Sequence, residues 1–555
     1  MKQFGFFVDI QFGLSESIHK AINYSNNKFL DDKVFWETPE YLVILDGVIL
    51  NRIDLLNKYG MTDWASAVHK MYILNGDDFF IEFRGSFCGV LYDKKKNRVI
   101  AYSDHLGTKF LYYYYDKEKQ RFICSTLISK LYEALQLDGV KYDLDLASVY
   151  LLLSYGFMVG DKTLCNRIRK IPAGSYATIQ NSDITIKQFY LLNNDEYEMN
   201  EEDAVEIIDN AFRKAVKEEF EKDREYNYKH LVALSGGLDS RMTSWVAHEL
   251  GYSEQINYTF AQIGSLDQTV PQSIISDLKH EWVFKALDNG LWLYNIEDVT
   301  RITGGNVLYY GLSHSYSMYN YFNFDEVGMF HTGQLGDAVI GTHTKDKKEK
   351  FSLGDGAYSK TYIDRLKGLD VPDFANKEIG FYYFRCLPGA NNGNLSEYCF
   401  TEMYSPFYNL DFMETCLKIP AKLRYNHTIY KKWILKKYPH AADYTWTSLG
   451  AKIIVPCIEV RGKQVPINKI PSVIYNRLVG NRGLYNRNNM NPIGYYLETN
   501  KELKSFLYSY FHYIDAIKDN ELRNDLLKLK ESSNPFEIIE AISLLAAIKL
   551  FYSKN

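Results

Sequence analysis

Cysteine is scarce in this chain: there are seven among 555 residues, and none form a CxxC pair. That argues against a zinc site and against a disulfide framework. No apolar run reaches the ~20 residues of a membrane span, and the first thirty residues lack the apolar centre of a signal peptide. A strong charge of one sign is missing too. Against 69 Asp and Glu stand 64 Lys and Arg, a formal charge of −5, which gives no electrostatic reason for nucleic acid or an anionic membrane as partner. These absences fit a reduced, cytoplasmic protein.

What is present fits a globular chain. Hydrophobic residues make up 46% and charged residues 24%, the balance of soluble domains, and the length implies two or more of them. The 46 Tyr and 32 Phe cluster in segments such as "FLYYYY", which suit strands at least as well as stacking platforms. The first 190 residues read as β-rich: "EYLVILDGVIL", "GSFCGVLYD", "NRVIAYSD" and "KFLYYYYD" are short strand-like runs separated by Gly, Asp and Asn turns. Residues 191–202 are polar and read as a linker. Ala204, Ile207, Ile208, Ala211 and Phe212 then recur at helical spacing, and from residue 231 strands alternate with helical patterns as in an open α/β sheet. The expected division is 1–190, linker 191–202, and 203–555. "PFEIIEAISLLAAIKLFYSK" closes the chain as an apolar helix.

The most informative stretch is "LVALSGGLDSRMTSWVAHEL", residues 231–250. A strand-like run leads through "SGGLDS" into Met242, Trp245, Val246 and Leu250 at helical spacing. Gly236 and Gly237 allow close backbone approach to a ligand, and the helix dipole favours an anion there. No Lys-Ser or Lys-Thr pair follows, so this is not a Walker loop. An acid facing phosphate needs a cation between them, so Asp239 reads as a magnesium ligand. A second strand-to-helix loop, "VGMFHTGQLGDAVIG", offers Asp337 as its partner. In a third, "AQIGSLDQT", Ser265 or Asp267 is suited to cap a helix. "HTIYKKWILKKYP" carries Lys431 and Lys432 on a helix, where an inward lysine would stabilise phosphoryl charge and an outward one would be a solvated face. Taken singly, the glycine pair also fits a bare turn, and Asp337 fits a helix cap better than a metal ligand. His248, His331 and His343 read as structural or surface residues, and the cysteines as buried small hydrophobes.

The ordered set of motifs resembles asparagine synthetase B. "SGGLDS" looks like the pyrophosphate loop of the ATP-pyrophosphatase superfamily. "FRGSFCGVLYD", "SDHLGTKFLYYYYD" and "KTLCNRIRKIPAGSYATI" are similar in order and spacing to that family's amino-terminal domain, and "TGQLGD", "SPFYNLDFMETCLKIPAKLR" and "KKWILKKYP" to its synthetase domain. The resemblance implies an Ntn-hydrolase-like domain followed by an open α/β ATP-pyrophosphatase domain (adenine nucleotide α hydrolase-like) with a helical carboxyl-terminal part. It places Leu234, Ser235, Gly236, Gly237, Asp239, Ser240, Thr332 and Gly333 on ATP. It makes Asp239 and Asp337 the magnesium ligands and Lys432 the lysine of the transition state. Gln334 stands at a catalytic position where the family has an acid. The implied cofactors are ATP and Mg2+; the partners are a carboxylate and an amine donor, with no nucleic acid and no membrane, and a homodimer as the expected assembly.

The departures point elsewhere than aspartate. Gln334, Ala338 and Asn409 replace family acids, as in the β-lactam synthetases and lasso-peptide cyclases that resemble asparagine synthetase in this way. The family's glutaminase uses an amino-terminal Cys and an Asn-Gly-Glu segment; here the chain reads Met1-Lys2-Gln3 and Asp46-Gly47-Val48, with Asp63 where a second acid falls. The expectation is an AMP-forming amide synthetase without glutaminase activity. The alternatives are asparagine synthesis from ammonia or a separate glutaminase, and a non-catalytic scaffold of the same fold. Thiolation of tRNA is disfavoured by the charge and the lack of paired cysteines.

Overall fold

The computed structural model describes residues 4–13, 18–180, 183–344, 348–460, 463–470, 485–486 and 489–553; Met1, Lys2 and Gln3 lie outside them. Strand Tyr41–Ile49 shows why the early segments are so uniformly apolar. Leu42 and Ile44 face one core and Val43 and Leu45 another, and all four are at most 1% exposed. A strand buried on both faces has no polar side to alternate with.

Two antiparallel sheets stack on one another. One runs in the order Ile18–Asn23, Phe6–Gln11, Arg121–Ser125, Tyr112–Asp116, Arg169–Lys170. The other runs Asp183–Gln188, Ser175–Gln180, Arg98–Ser103, Gly85–Asp93, Tyr41–Ile49, Val34–Glu37. Phe6, Val8, Val90 and Val99 fill the space between them. Trp64, Val68 and Met71 of helix Trp64–Asn75 pack on the outer face of the six-stranded sheet. Helix Ile128–Leu137 packs beside the other sheet, making four layers.

Past residue 200 the architecture changes. Helix α1 (Glu201–Glu225) begins at Asn200, whose side chain accepts from Asp203 N at 2.8 Å, and three acids in its first turn suit the dipole. It leads to β1 (Lys229–Ala233), α2 (Asp239–Glu249), β2 (Gln255–Ala261), α3 (Leu266–Leu278), β3 (Glu281–Ala286), α4 (Tyr310–Tyr319), β4 (Val327–His331) and α5 (Gly336–Val339). Helix α6 (Leu387–Gly393), β5 (Met403–Tyr404) and α7 (Thr428–Lys437) follow. The five strands are parallel in the order β3-β2-β1-β4-β5. Strand order reverses between β1 and β4, which opens a crevice at their carboxyl ends. Helix Pro535–Ala547 is almost wholly buried. No helix among the described residues is long and apolar enough to cross a membrane.

Two buried polar clusters stand out, one between the two parts and one within the second. Between the antiparallel sheets and β5, Lys109 Nζ lies 3.0 Å from Asp46 and 2.8 Å from Glu402, and Lys33 Nζ lies 3.0 Å from Glu402. Behind β1 and β4, His331 bridges Glu219 and Asp223 of α1 at 2.6 Å each, and His230 meets Asp223 at 3.0 Å. His331 is thus engaged by carboxylates at both ring nitrogens, and six of the seven cysteines are buried. Asp63 caps helix Trp64–Asn75, accepting from Ser66 N at 2.8 Å.

Candidate active site

The loops after β1 and β4 meet because two glycines leave room. A Cβ on Gly333 would sit 2.2 Å from Ser240 N, and one on Gly336 would sit 2.6 Å from Asp239 Cγ. Leu335 adopts a left-handed φ of 70° in the second loop, a conformation that costs free energy for a side-chain-bearing residue. This tight turn delivers Asp337 to Asp239: Asp337 N donates to Asp239 Oδ2 at 3.1 Å. Burial and the facing Asp337 raise the Asp239 carboxyl well above the usual range. A desolvated carboxylate with a second acid acting on it through space is an arrangement that a hard divalent cation would relieve. The residues present fit magnesium.

The first loop is held by its own side chains. Ser240 Oγ accepts from Ser235 N at 3.0 Å, Ser235 Oγ accepts from Gly237 N at 3.2 Å, and Asp267 accepts from Gly236 N at 3.2 Å. Asp267 therefore serves the glycine loop, while Ser265 stands at the helix N-cap without a side-chain cap and donates to Gln262 O. Leu234, Ser235, Gly237, Asp239, Ser240, Thr332, Gly333 and Gln334 all line one cavity of about 360 Å³. Neither Gly236, which is buried, nor Asp337, which is exposed, lines it. Gln334 is fixed by Asn394, to which its Nε2 donates at 2.7 Å.

Lys432 is not brought to this site. It is 45% exposed on its side chain and pairs with Glu201 at the start of α1. The helix phase explains it: Tyr430 donates to Asp239 Oδ1 at 2.8 Å, and two residues further on an α-helix points about 200° away. Lys431 turns the other way. It is half-buried, its amine is pushed down by burial, and it donates to Gln464 Oε1 at 2.7 Å. His427, one turn before it, feels both Asp337 and Lys431.

Other residues here carry no local signal in sequence. Arg241 is fully buried and donates to Gly236 O at 3.3 Å, Thr445 O at 2.7 Å and Ala441 O at 3.0 Å, pinning segment 441–445 to the glycine loop. Glu397 faces the cavity, and burial raises its carboxyl to about 7 while Tyr319 donates to it. His314 stacks on Phe260 at 4.4 Å and is held neutral by burial. Of these, only Arg241 adjoins the motif that betrayed the site.

Residues 34–190 match the glutamine amidotransferase domain family. A Methanocaldococcus jannaschii protein, provisionally named asparagine synthetase (glutamine-hydrolyzing) 2, is 24% identical over 305 residues, 51% of this chain and 57% of the relative. Asparagine synthetase B (glutamine-hydrolyzing) of Escherichia coli K12 is 23% identical over 297 residues, 48% of this chain and 47% of the relative. Over about half its length the chain is similar to asparagine synthetases. It spans about half the length of the curated relatives it matches. The similarity to a solved glutamine phosphoribosylpyrophosphate amidotransferase from B. subtilis, complexed with ADP and GMP, covers 52% of this chain and 86% of that one at 7% identity, with a TM-score of 0.25. For this asparagine synthetase-like chain the family match and the stacked sheets agree on an Ntn-hydrolase-like amidotransferase fold in the amino-terminal part. The parallel sheet beyond it rests on its own geometry.

Proposed function

We propose that this chain is an AMP-forming carbon–nitrogen ligase that activates a carboxylate with Mg-ATP and joins it to an amine. The observation that carries the reading is the meeting of Asp239 and Asp337 at the switch point, beside the glycine loop. The loop hydroxyls of Ser235 and Ser240 and the N-terminus of α2 suit phosphate oxygens, which would take over the amide donors now held by side chains. Asp239 and Asp337 would hold magnesium, which supplies charge neutralisation on the phosphates.

The substrate carboxylate oxygen attacks the α-phosphorus, the bond to pyrophosphate breaks, and an acyl adenylate forms. The amine nitrogen then attacks the acyl carbon, AMP leaves, and the nitrogen loses a proton. Glu397 is the acid facing the cavity whose affinity for that proton lies near neutrality. Gln334 and Asn409 are neutral; Asn409 caps a helix and donates to Glu218 at 2.8 Å. That favours a carboxylate other than aspartate. Glutamine is not the proposed amine source: Val48 is 2% exposed in the core, and Asp46 beside it is engaged by Lys109.

The test is ATP–pyrophosphate exchange by the purified chain across a panel of carboxylates. Exchange should appear with one class and vanish in Asp239→Asn and Asp337→Asn while both variants stay folded. Glu397→Gln should keep exchange and lose amide formation. Absence of exchange with every carboxylate favours the scaffold reading, exchange with aspartate alone favours asparagine synthesis, and release of glutamate from glutamine would reverse the view of the amino-terminal part.

A further inference from the structure

Lys170, at the end of strand Arg169–Lys170, is 6% exposed yet makes no ion pair or hydrogen bond through its ammonium among the described residues. Its Nζ lies 4.1 Å from the ring centre of Phe110. A cation over a ring recovers only part of the hydration lost on burial. Buried lysines ordinarily have an acid against them, as Lys109 does in this same molecule. Lys170 instead lines a cavity of about 690 Å³ between the stacked sheets and segment 368–391.

The walls of that cavity are apolar: Leu106, Leu151, Ile171, Phe374, Phe384 and Leu387 contribute to them. Its other charged lining residues are Asp161, Lys162, Asp370 and Asp373. Three of these have partners elsewhere: Asp161 lies 3.7 Å from Arg169, Lys162 3.9 Å from Asp145, and Asp373 3.4 Å from Lys350. Asp370 is exposed to solvent. None neutralises Lys170 directly; burial lowers its amine to about 8, with Asp161 opposing only through space.

We propose that this cavity binds a small monocarboxylate with an apolar body, its carboxylate on Lys170 and its chain or ring against the apolar walls. One ammonium suits one negative charge, and a phosphate dianion would find too few donors here. The volume falls in the range of small-molecule sites. The site is separate from the crevice at Asp239, but Leu387 and Pro388 of α6 line it while Gly393, at the other end of that helix, lines the candidate active site. The inference stands independently of the ligase reading.

The experiment is calorimetric titration of the full chain with octanoate and, separately, with octan-1-ol. Octanoate should bind one-to-one and at least tenfold more tightly than the alcohol. Lys170→Met should cost octanoate at least tenfold and leave the alcohol unchanged. Above pH 8 octanoate affinity should fall about tenfold per pH unit as the ammonium loses its proton. Ala147→Phe, which puts a ring into the cavity and leaves Lys170 in place, should abolish both. Freed of an unpaired buried charge, Lys170→Met should melt no lower than the parent chain. A lower melting temperature would mark Lys170 as structural and overturn the proposal. So would equal affinity for acid and alcohol, unchanged octanoate binding in Lys170→Met, or no octanoate binding at all.

Discussion

Tyr430 sets the phase of α7, and that one hydrogen bond decides which of two adjacent lysines can act. Because Tyr430 reaches Asp239, Lys431 stands about 100° round the helix from it, half-buried and donating to Gln464, while Lys432 pairs with Glu201 on the surface. A half-buried cation near developing phosphate charge acts through a low dielectric, whereas an exposed ion pair contributes little. We expect Lys431→Met to lower AMP-forming turnover at least about tenfold, in line with loss of one electrostatic donor, and Lys432→Met to stay within about twofold of the parent chain. Steady-state kinetics on both variants measures this, and the opposite ranking would mean that another face of α7 serves the site. The pair also marks a limit of the sequence. Neighbouring helical residues differ by about 100° in direction, and nothing in "YKKW" says which direction is inward. Tyr430, Glu397 and Arg241 were illegible for a related reason: each acts on a partner far off in the chain or through a buried backbone carbonyl, and no short pattern encodes such a meeting.

At the scale of elements the reverse holds, since the loops announce themselves. An apolar strand, a glycine-bearing turn and an acid at a helix start are local features, so the segments after β1 and β4 are legible in the sequence alone. Four of the eleven strands described in the first 190 residues were legible as well, bounded by turn residues. Less legible was that the glycines matter by permitting loop-to-loop contact as well as ligand approach. Gly333→Ala tests this. Its Cβ would meet the backbone of Ser240 at 2.2 Å and of Asp239 at 2.4 Å, and neither atom can swing aside as a side chain would. Overpacking of this kind costs about 1–3 kcal/mol, and here it would separate the two acids. The expected outcome is a modest loss in urea midpoint together with loss of nucleotide-dependent activity. A variant with the parent's activity would show that the loops need not touch.

For the molecule as a whole, the bridge behind β1 and β4 makes stability depend on pH. Burial opposes charge on His331, but Asp223 and the hydrogen bonds to both acids outweigh it and hold the imidazolium up to about 9. Burial raises Glu219 to about 7, with His331 pulling it back, and Asp223 is held below its ordinary value by the two histidines despite its burial. A histidine with a raised folded pKa contributes stability fully below its unfolded value of about 6.5 and loses it as pH climbs through about 9; the raised Glu219 acts in the same direction from about 4.5 to 7. The contribution of Asp223 is present above its unfolded value and fades as acid protonates it. The contribution of His331, on the order of 3 kcal/mol, should therefore be lost between pH 6.5 and about 9. His331→Gln should flatten that slope in urea titrations at successive pH values. Parallel curves for the two proteins would sink the assignment.

Glu402 lies far from residue 46 in sequence yet is 3% exposed, and Lys109 and Lys33 hold its carboxyl down at about 2 against the burial that would raise it. Severing the polypeptide somewhere within 191–200, a stretch that forms neither helix nor strand, would change none of those four charges. Physically parting the two pieces would uncover a bare carboxylate on one and two ammonium groups against one carboxylate on the other, besides the apolar surface around them. A chain nicked by protease in that stretch should thus elute from gel filtration as a single particle of unchanged size, and either piece produced alone should be insoluble until its complement is supplied. The covalent tether is a convenience of synthesis; among the contacts that make the two halves one body is a buried quartet of opposite charges that neither can balance by itself.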